Sequence, residues 1–378
     1  MFDYEILRLI WWVLIGVLLI GFAITDGFDM GVGALIPVIG KTDTERRVMI
    51  NSIAPHWDGN QVWLVTAGGA LFAAWPQVYA TSFSGFYLAM MVTLAALWLR
   101  PLGLDYRSKI EDPKWRKSWD IGISISGFVP PIIFGVAFGN LLQGVPFEFN
   151  DFMMVTYHGS FFGLLNPFAL LCGLVSLSMI LLQGMTWLQM KTTDEVHSRA
   201  RSIAQIMGLV VVVTFVAAGV WIQNIEGYVV TSIIDTNAPS NPLNKEVIRE
   251  AGAWMSNFYA YPAMWLAPIT GIVGALLAVL FAKIDRAGFA FLSSSLANTG
   301  IILTAGFAMF PFVMPSDLLP NHSLTMWDAT SSELTLNLMT AVAFVMVPVI
   351  LAYTTWTYYK MFGRINNQFI EDNKNSLY

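Results

Sequence analysis

The chain has 378 residues, of which 56% are hydrophobic and only 12% charged, and its mean hydropathy is +0.61. Soluble domains carry about 25% charged residues, so a soluble globular protein is excluded and a polytopic membrane protein is expected. The net charge of -5, with basic residues in short clusters between apolar runs, gives no sign of a nucleic-acid partner, and the single cysteine, Cys172, rules out an intrachain disulfide.

In chain order, Met1 to Glu5 lacks the basic region of a secretory signal and no small-residue cleavage site follows, so the first apolar run is expected to be retained as a helix. Apolar runs of spanning length cover 9–37, 49–74, 78–100, 119–143, 163–190, 203–224, 262–282, 288–312 and 334–359, each about as long as a 30 Å hydrocarbon core requires. The expected fold is all-α, with nine transmembrane helices in one integral membrane domain over residues 1–378. The basic residues orient it. Lys41, Arg46 and Arg47 follow the first run, Arg100, Arg107, Lys109, Lys114, Arg116 and Lys117 the third, and Lys191, Arg199 and Arg201 the fifth. Lys283 and Arg286 follow the seventh, and Lys360, Arg364 and Lys374 the ninth. That is seventeen, against Arg8, Lys245 and Arg249 on the other side. The positive-inside rule then places the N-terminus outside and the C-terminus in the cytoplasm.

The long external loop, Gln223 to Pro262, carries a turn at Ser240-Asn241-Pro242, and Lys245 to Trp254 reads as a short interfacial helix. In the last loop Thr330 and Glu333 have capping-box spacing for the ninth helix. Gly27 with Gly31, and Gly135 with Gly139, suit close helix packing. Pro130-Pro131 is the strongest helix break, no residue-level repeat is visible, and the 14 tryptophans lie mostly near run ends, as an interfacial belt would.

Two polar knots interrupt the apolar pattern. Asp26 and Asp29, three apart in Thr25-Asp26-Gly27-Phe28-Asp29-Met30-Gly31, share a helical face. The second knot is His56-Trp57-Asp58-Gly59-Asn60-Gln61-Val62-Trp63. An aspartate near the middle of a membrane helix is penalised by about 2.5–3.5 kcal/mol, so such acids face a cavity, a partner or a proton route. At a rise of 1.5 Å per residue, Asp29 lies roughly 15 Å from the inner end of its helix and His56 and Asp58 about 10–14 Å above the inner boundary, so both knots share one layer. Arg100, closing the third helix on the same side, is placed as a counter-charge. The cluster reads either as a proton relay or ionic gate, or as a network that satisfies itself or a partner. His158, His197 and His322 fall at or beyond helix ends, leaving His56 as the only membrane histidine, and one histidine does not bracket a six-coordinate haem. No metal-ligand spacing, phosphate loop or nucleophile elbow is present. The residues alone leave proton-coupled transport and support of a redox partner both open.

The chain also resembles a known family. Asp26-Gly27-Phe28-Asp29-Met30-Gly31, Pro55-His56-Trp57-Asp58-Gly59-Asn60-Gln61-Val62-Trp63 and Gly68 to Pro76 are similar to subunit II of the bacterial cytochrome bd quinol oxidases. The likeness continues in Phe138 to Pro146, Met309 to Pro315 and Ser323 to Asp328, so it spans nearly the whole chain. It implies a heterodimer in the bacterial cytoplasmic (inner) membrane whose subunit I ligates two haems b and one haem d and oxidises ubiquinol or menaquinol while dioxygen is reduced to water. This chain would then hold no metal and no catalytic residue. It implies that Asp58 helps admit protons toward the haem pair and that Trp63 borders an apolar oxygen route, although on its residues alone Trp63 reads as packing; the shared layer read above adds Asp29, Asp26 and His56 as proton-access candidates beside Asp58. A small single-helix subunit, membrane lipid and quinone are further partners it admits. The competing reading, a stand-alone proton-coupled transporter, requires broken helices in both halves, and Pro130-Pro131 has no counterpart.

Overall fold

The computed structural model describes residues 2–373 and 377–378; Met1 and Lys374, one of the basic residues counted above, lie outside the described residues. Of the described residues, 74% are helical. Its helices are α1 (Tyr4–Ala34), α2 (Ile36–Ile39), α3 (Asp43–Ile53), α4 (Trp57–Ala74), α5 (Pro76–Gly85), α6 (Tyr87–Tyr106), α7 (Pro113–Gln143), α8 (Pro167–Lys191), α9 (Asp194–Trp221), α10 (Ser256–Ala260), α11 (Leu266–Lys283), α12 (Ala287–Met309), α13 (Glu333–Lys360) and α14 (Asn367–Asp372). Among the described residues, eight helical segments are long and apolar enough to cross a membrane.

The difference from the expected nine lies in the run 49–74. Its first residues belong to α3, an amphipathic helix opened by a capping box in which Thr42 and Glu45 each bind the other's backbone N–H. A turn over 54–56, at Pro55, then separates α3 from α4, because proline lacks the N–H a continuing helix needs and disfavours helical geometry just before it. What remains, Trp57–Ala74, is 18 residues long and starts with the polar knot, which lowers its apolarity. The opposite holds at Pro130-Pro131, where α7 continues unbroken from Pro113 to Gln143, as neighbouring helices permit in a membrane bundle.

Three antiparallel hairpins gather at one end of the bundle, so the fold is mainly rather than wholly helical: β1 (Phe147–Phe149) with β2 (Val155–Tyr157), β3 (Glu226–Val230) with β4 (Val247–Ala251), and β5 (Phe312–Met314) with β6 (Leu324–Thr325). Most of the interfacial helix expected over Lys245 to Trp254 is therefore strand β4. The pattern Val247-Ile248 favours a strand, a partner is at hand in Tyr228-Val229-Val230, and Gly252 at φ +75° turns the chain out of it. The expected capping box at Thr330 is also replaced. Ser332 caps α13 by accepting from Thr335 N at 3.3 Å, while Thr330 Oγ1 faces Arg8 and Tyr4.

The small-residue pairs do what their spacing suggests. α1 crosses α8 with Gly31 against Ile180 O and Gly184, and Gly135 and Gly139 of α7 lie on Cys172 and Ala169 of α8. A Cβ at Gly31 would overlap the α8 backbone, so α1 is held against α8 at backbone distance. α4 returns antiparallel beside α1: Asn60 meets Asp29, Trp63 lies across Gly21, and Ser331 links the far ends by accepting from Tyr4 Oη at 2.6 Å and donating to Ala74 O at 2.8 Å.

Candidate functional site

The segment Asp26 to Ala34 of α1 is wholly buried, and its two carboxylates, one helical turn apart, point into the space between α4 and α6. Asp26 receives Arg100 of α6 as a two-pronged pair, Nη1 on Oδ1 and Nη2 on Oδ2 at 3.1 Å, with both side chains fully buried. Two parallel N–H to O contacts are the strongest geometry available to such a pair. Asp29 Oδ2 accepts from Asn60 Nδ2 of α4 at 2.8 Å, and Asn60 Oδ1 in turn accepts from Tyr358 Oη of α13 at 2.5 Å. Four helices are tied together by this chain of side chains. Two of its buried atoms have no hydrogen-bond partner, Asp29 Oδ1 and Arg100 Nε.

The sequence-derived site is thus only partly assembled. Asp26, Asp29 and Arg100 come together as the shared layer required. His56 lies at the edge, its ring stacked on Tyr358 with centroids 4.4 Å apart and 11° between planes, and set edge-on to Trp187 at 6.2 Å. Asp58 does not join. It is exposed and, among the described residues, its side chain has no hydrogen bond or ion pair. At about 100° per residue Asp58 stands roughly 200° from Asn60, so when Asn60 turns toward α1 the carboxylate turns away. Arg100 is the counter-charge of Asp26 and does not meet Asp58. Trp63, three residues beyond Asn60, shares the inward face and is half-buried against Gly21.

Sequence reasoning missed several members. Tyr358 carried no signal, because a tyrosine near a helix end reads as a belt residue, and Asn60 was visible in the knot but given no partner. Closer to the basic end, Arg107 is buried between two carboxylates, Nε on Asp120 Oδ1 at 2.5 Å and Nη2 on Asp43 Oδ1 at 2.8 Å, with Arg46 on Asp120 at 2.9 Å and Arg116 on Asp43 at 2.7 Å. Glu45 accepts from both Nη atoms of Arg199 at 2.9 Å, which holds its carboxyl down at about 2. Asp120 opens the run 119–143 and was readable as a charge without a stated partner.

Each of the four histidines is engaged within the chain. His56 has one ring face covered by Tyr358 and its edge by Trp187. His158 is paired with Glu148 at 3.0 Å, His197 with Asp285 at 2.9 Å, and His322 Nδ1 accepts from Phe149 N at 3.0 Å. Among the described residues no group of three or more His, Cys, Asp or Glu side chains is arranged to hold a metal.

A mainly helical multi-pass membrane protein with a buried ionic network between its first, fourth and sixth helices is the class defined by this geometry. Known proteins make it specific. The family model described as cytochrome bd terminal oxidase subunit II matches residues 7–361, and the chain belongs to that family. It is 63% identical over 379 residues to the cytochrome bd-I ubiquinol oxidase subunit 2 of Escherichia coli (strain K12), with all of both chains covered. It is 62% identical over 378 residues to a probable cytochrome oxidase subunit 2 of Haemophilus influenzae, again over the full length of both. The cytochrome bd ubiquinol oxidase subunit 2 of Bacillus subtilis is 29% identical over 95% of this chain and 97% of that one. Among solved structures, the bd oxidase from Geobacillus thermodenitrificans shares the fold, with a TM-score of 0.70 at 14% identity over 95% of this chain and 99% of the other. The chain is therefore a subunit of a terminal oxidase, an oxidoreductase of the bacterial inner membrane, and the stand-alone transporter reading is not favoured.

Proposed function

We propose that this chain clasps the haem-bearing subunit I of a quinol oxidase and supplies part of that complex's proton entry. The observation that carries the reading is Asp58, a carboxylate in the first turn of a membrane helix that pairs with no other side chain among the described residues. A carboxylate facing lipid is penalised, by about 2.5–3.5 kcal/mol at the centre of a membrane helix and less toward its ends, so a polar partner is expected over it. The same face of α4 continues through Val62, Val65, Gly69 and Phe72, all exposed and spaced alternately by four and three, as a seam for another helix requires. Gly59, Gly68 and Gly69 have open space where a Cβ would stand, which lets a partner helix approach closely.

Quinol oxidation is named for the relatives from E. coli and B. subtilis, and in this reading it is the activity of the complex this chain joins. Two haems b and one haem d are ligated by subunit I. Protons from the cytoplasm reach Asp58 at the seam. Asp29, Asp26 and His56 lie behind it with Arg100 as the fixed counter-charge, and Trp63 borders the oxygen route between α1 and the seam. Counting α4 as a crossing gives nine spans with the N-terminus outside and the C-terminus cytoplasmic, supported by its antiparallel return along α1. The remaining exposed apolar faces leave room for a small single-helix subunit, lipid and quinone.

In the assembled complex, Asp58→Asn keeps the shape but removes the titrating group, so quinol-driven oxygen uptake is expected to fall about tenfold or more while the haem spectrum stays whole. Asp58→Glu retains more activity. Full turnover by an assembled Asp58→Asn complex across the pH range would remove the proton role. A reporter active only outside the cytoplasm should work when fused after Asn241 and fail after Lys109 or at Tyr378; activity at Tyr378 would make the helix count wrong by one.

A further inference from the structure

At the basic end of the bundle, α8 ends, α12 begins and α13 ends around one open cleft of about 640 Å³, within the range of small-molecule sites. Its walls combine two chemistries. Lys191, Arg286 and Arg364 supply three cations. Lys191 is buried, and its Nζ donates to Met361 O at 2.7 Å while lying 5.9 Å from the Phe362 ring centroid. Neither guanidinium has a side-chain hydrogen bond or ion pair among the described residues. The one carboxylate in the lining, Asp285, is already engaged, its Oδ1 accepting from Gln189 Nε2 and lying 2.9 Å from both that nitrogen and His197 Nε2. Three cations against one carboxylate leave the cleft with an excess of positive charge. Its other wall is apolar: Phe289 and Leu292 line it, and with Leu296 they form a stripe on one face of α12, each more than half exposed. That stripe continues from the cleft into the zone where a membrane-spanning helix meets hydrocarbon.

Two arginines without acids, a buried ammonium and an acyl-compatible stripe leading away from them match an anion carried on a hydrocarbon tail, because a basic pocket between membrane helices at the inner face recognises a lipid phosphate. We propose that this cleft seats an anionic diacyl phospholipid. Its phosphate is held by Arg286, Arg364 and Lys191, and an acyl chain runs along Phe289, Leu292 and Leu296. The site is separate from the Asp26–Arg100 network and stands whether or not that network conducts protons. It joins α8, α12 and the end of α13, so the lipid braces the helix that carries Tyr358.

The test uses the delipidated two-subunit oxidase, titrated with phosphatidylglycerol, phosphatidylcholine or inorganic phosphate, with native mass spectrometry reading the tightest-bound molecule. Wild type is expected to hold phosphatidylglycerol at least about ten times more tightly than phosphatidylcholine and to retain no inorganic phosphate at the same concentration. Arg286→Gln with Arg364→Gln should weaken phosphatidylglycerol about thirty-fold, on the scale of two basic residues at a membrane surface, with the haem spectrum unchanged. The corresponding double lysine variant should restore most of the binding. Leu292→Asn leaves every cation in place and should weaken the same lipid several-fold, which keeps the test alive if the double glutamine variant assembles poorly. Equal retention of the two lipids, wild-type binding by either variant, or inorganic phosphate bound as tightly as the lipid would overturn the assignment.

Discussion

Arg8 and Arg100 are both buried arginines on membrane helices, yet they are satisfied in opposite ways. Arg8, near the start of α1, lies over the Tyr4 ring at 3.6 Å and spends its donors on neutral oxygens: Thr330 Oγ1 at 2.9 Å, Thr236 O at 2.5 Å, Ala238 O at 3.0 Å and Ser240 Oγ at 3.2 Å. Those acceptors belong to the loops around β3, β4 and β6, so Arg8 fastens the strand-bearing cap onto the bundle. Nearby, Lys245 forms a buried ion pair with Asp328 at 2.9 Å, although burial pushes the Lys245 ammonium below and the Asp328 carboxyl above their ordinary values. Arg100 instead meets the Asp26 carboxylate inside the helix bundle, and its own Nε and the nearby Asp29 Oδ1 have no hydrogen-bond partner among the described residues. The contrast teaches that burial alone does not define a role. A guanidinium held by neutral oxygens organises a loop, whereas one held by an acid fixes the charge of a site, and unsatisfied atoms beside it leave that site something to bind or exchange.

The largest expected effect breaks the inner pair. Arg100→Gln leaves Asp26 buried without its counter-charge, a loss of about 3–5 kcal/mol, and the yield of haem-bearing complex should collapse. Adding Asp26→Asn should recover part of that yield, because the uncompensated charge is gone; no recovery would mean that the arginine matters through shape and not through charge. Arg8→Ala comes next. It removes hydrogen bonds of a charged group, each worth about 1.5–3 kcal/mol where water cannot replace it, and should lower the thermal midpoint of the complex and expose the 231–246 loop to protease, with the pH dependence of turnover unchanged. A shifted pH profile would erase the distinction between the two arginines.

The smallest effect concerns Glu45 and Arg199, at the edge of the same basic end. The folded Glu45 carboxyl sits at about 2, below its ordinary 4.5, chiefly because Arg199 donates to it. A depressed acid contributes stability above its unfolded value and loses it as pH falls through the folded one. Arg199→Gln should therefore lower stability by about 1 kcal/mol near neutrality, and the gap in thermal midpoint from wild type should close as pH drops from about 4.5 toward 2. A gap that persists at low pH would assign the stabilisation to the Arg199 bond with Ile39 O instead.

The sequence by itself determined the membrane class, the placement of most apolar helices and the gathering of Asp26, Asp29 and Arg100 in one buried layer, because a charge inside an apolar run is anomalous wherever it occurs and must find a partner. The close crossings at Gly31 and Gly135 were readable for a similar reason, since small residues four apart leave a groove on one helical face. The outer loop was not readable: whether Val247-Ile248 becomes strand or helix depends on Glu226–Val230 lying beside it, a pairing set some twenty residues away. The same holds for α3 and α4, where an apolar run proved to be two helices meeting at Pro55. Only the tertiary structure decided which way Asp58 points. Its neighbour Asn60 is drawn inward by Asp29 and Tyr358, and a helix allows no independent choice: fixing the azimuth of one residue fixes that of every other, so the bond to Asn60 turns Asp58 to the outside of this chain.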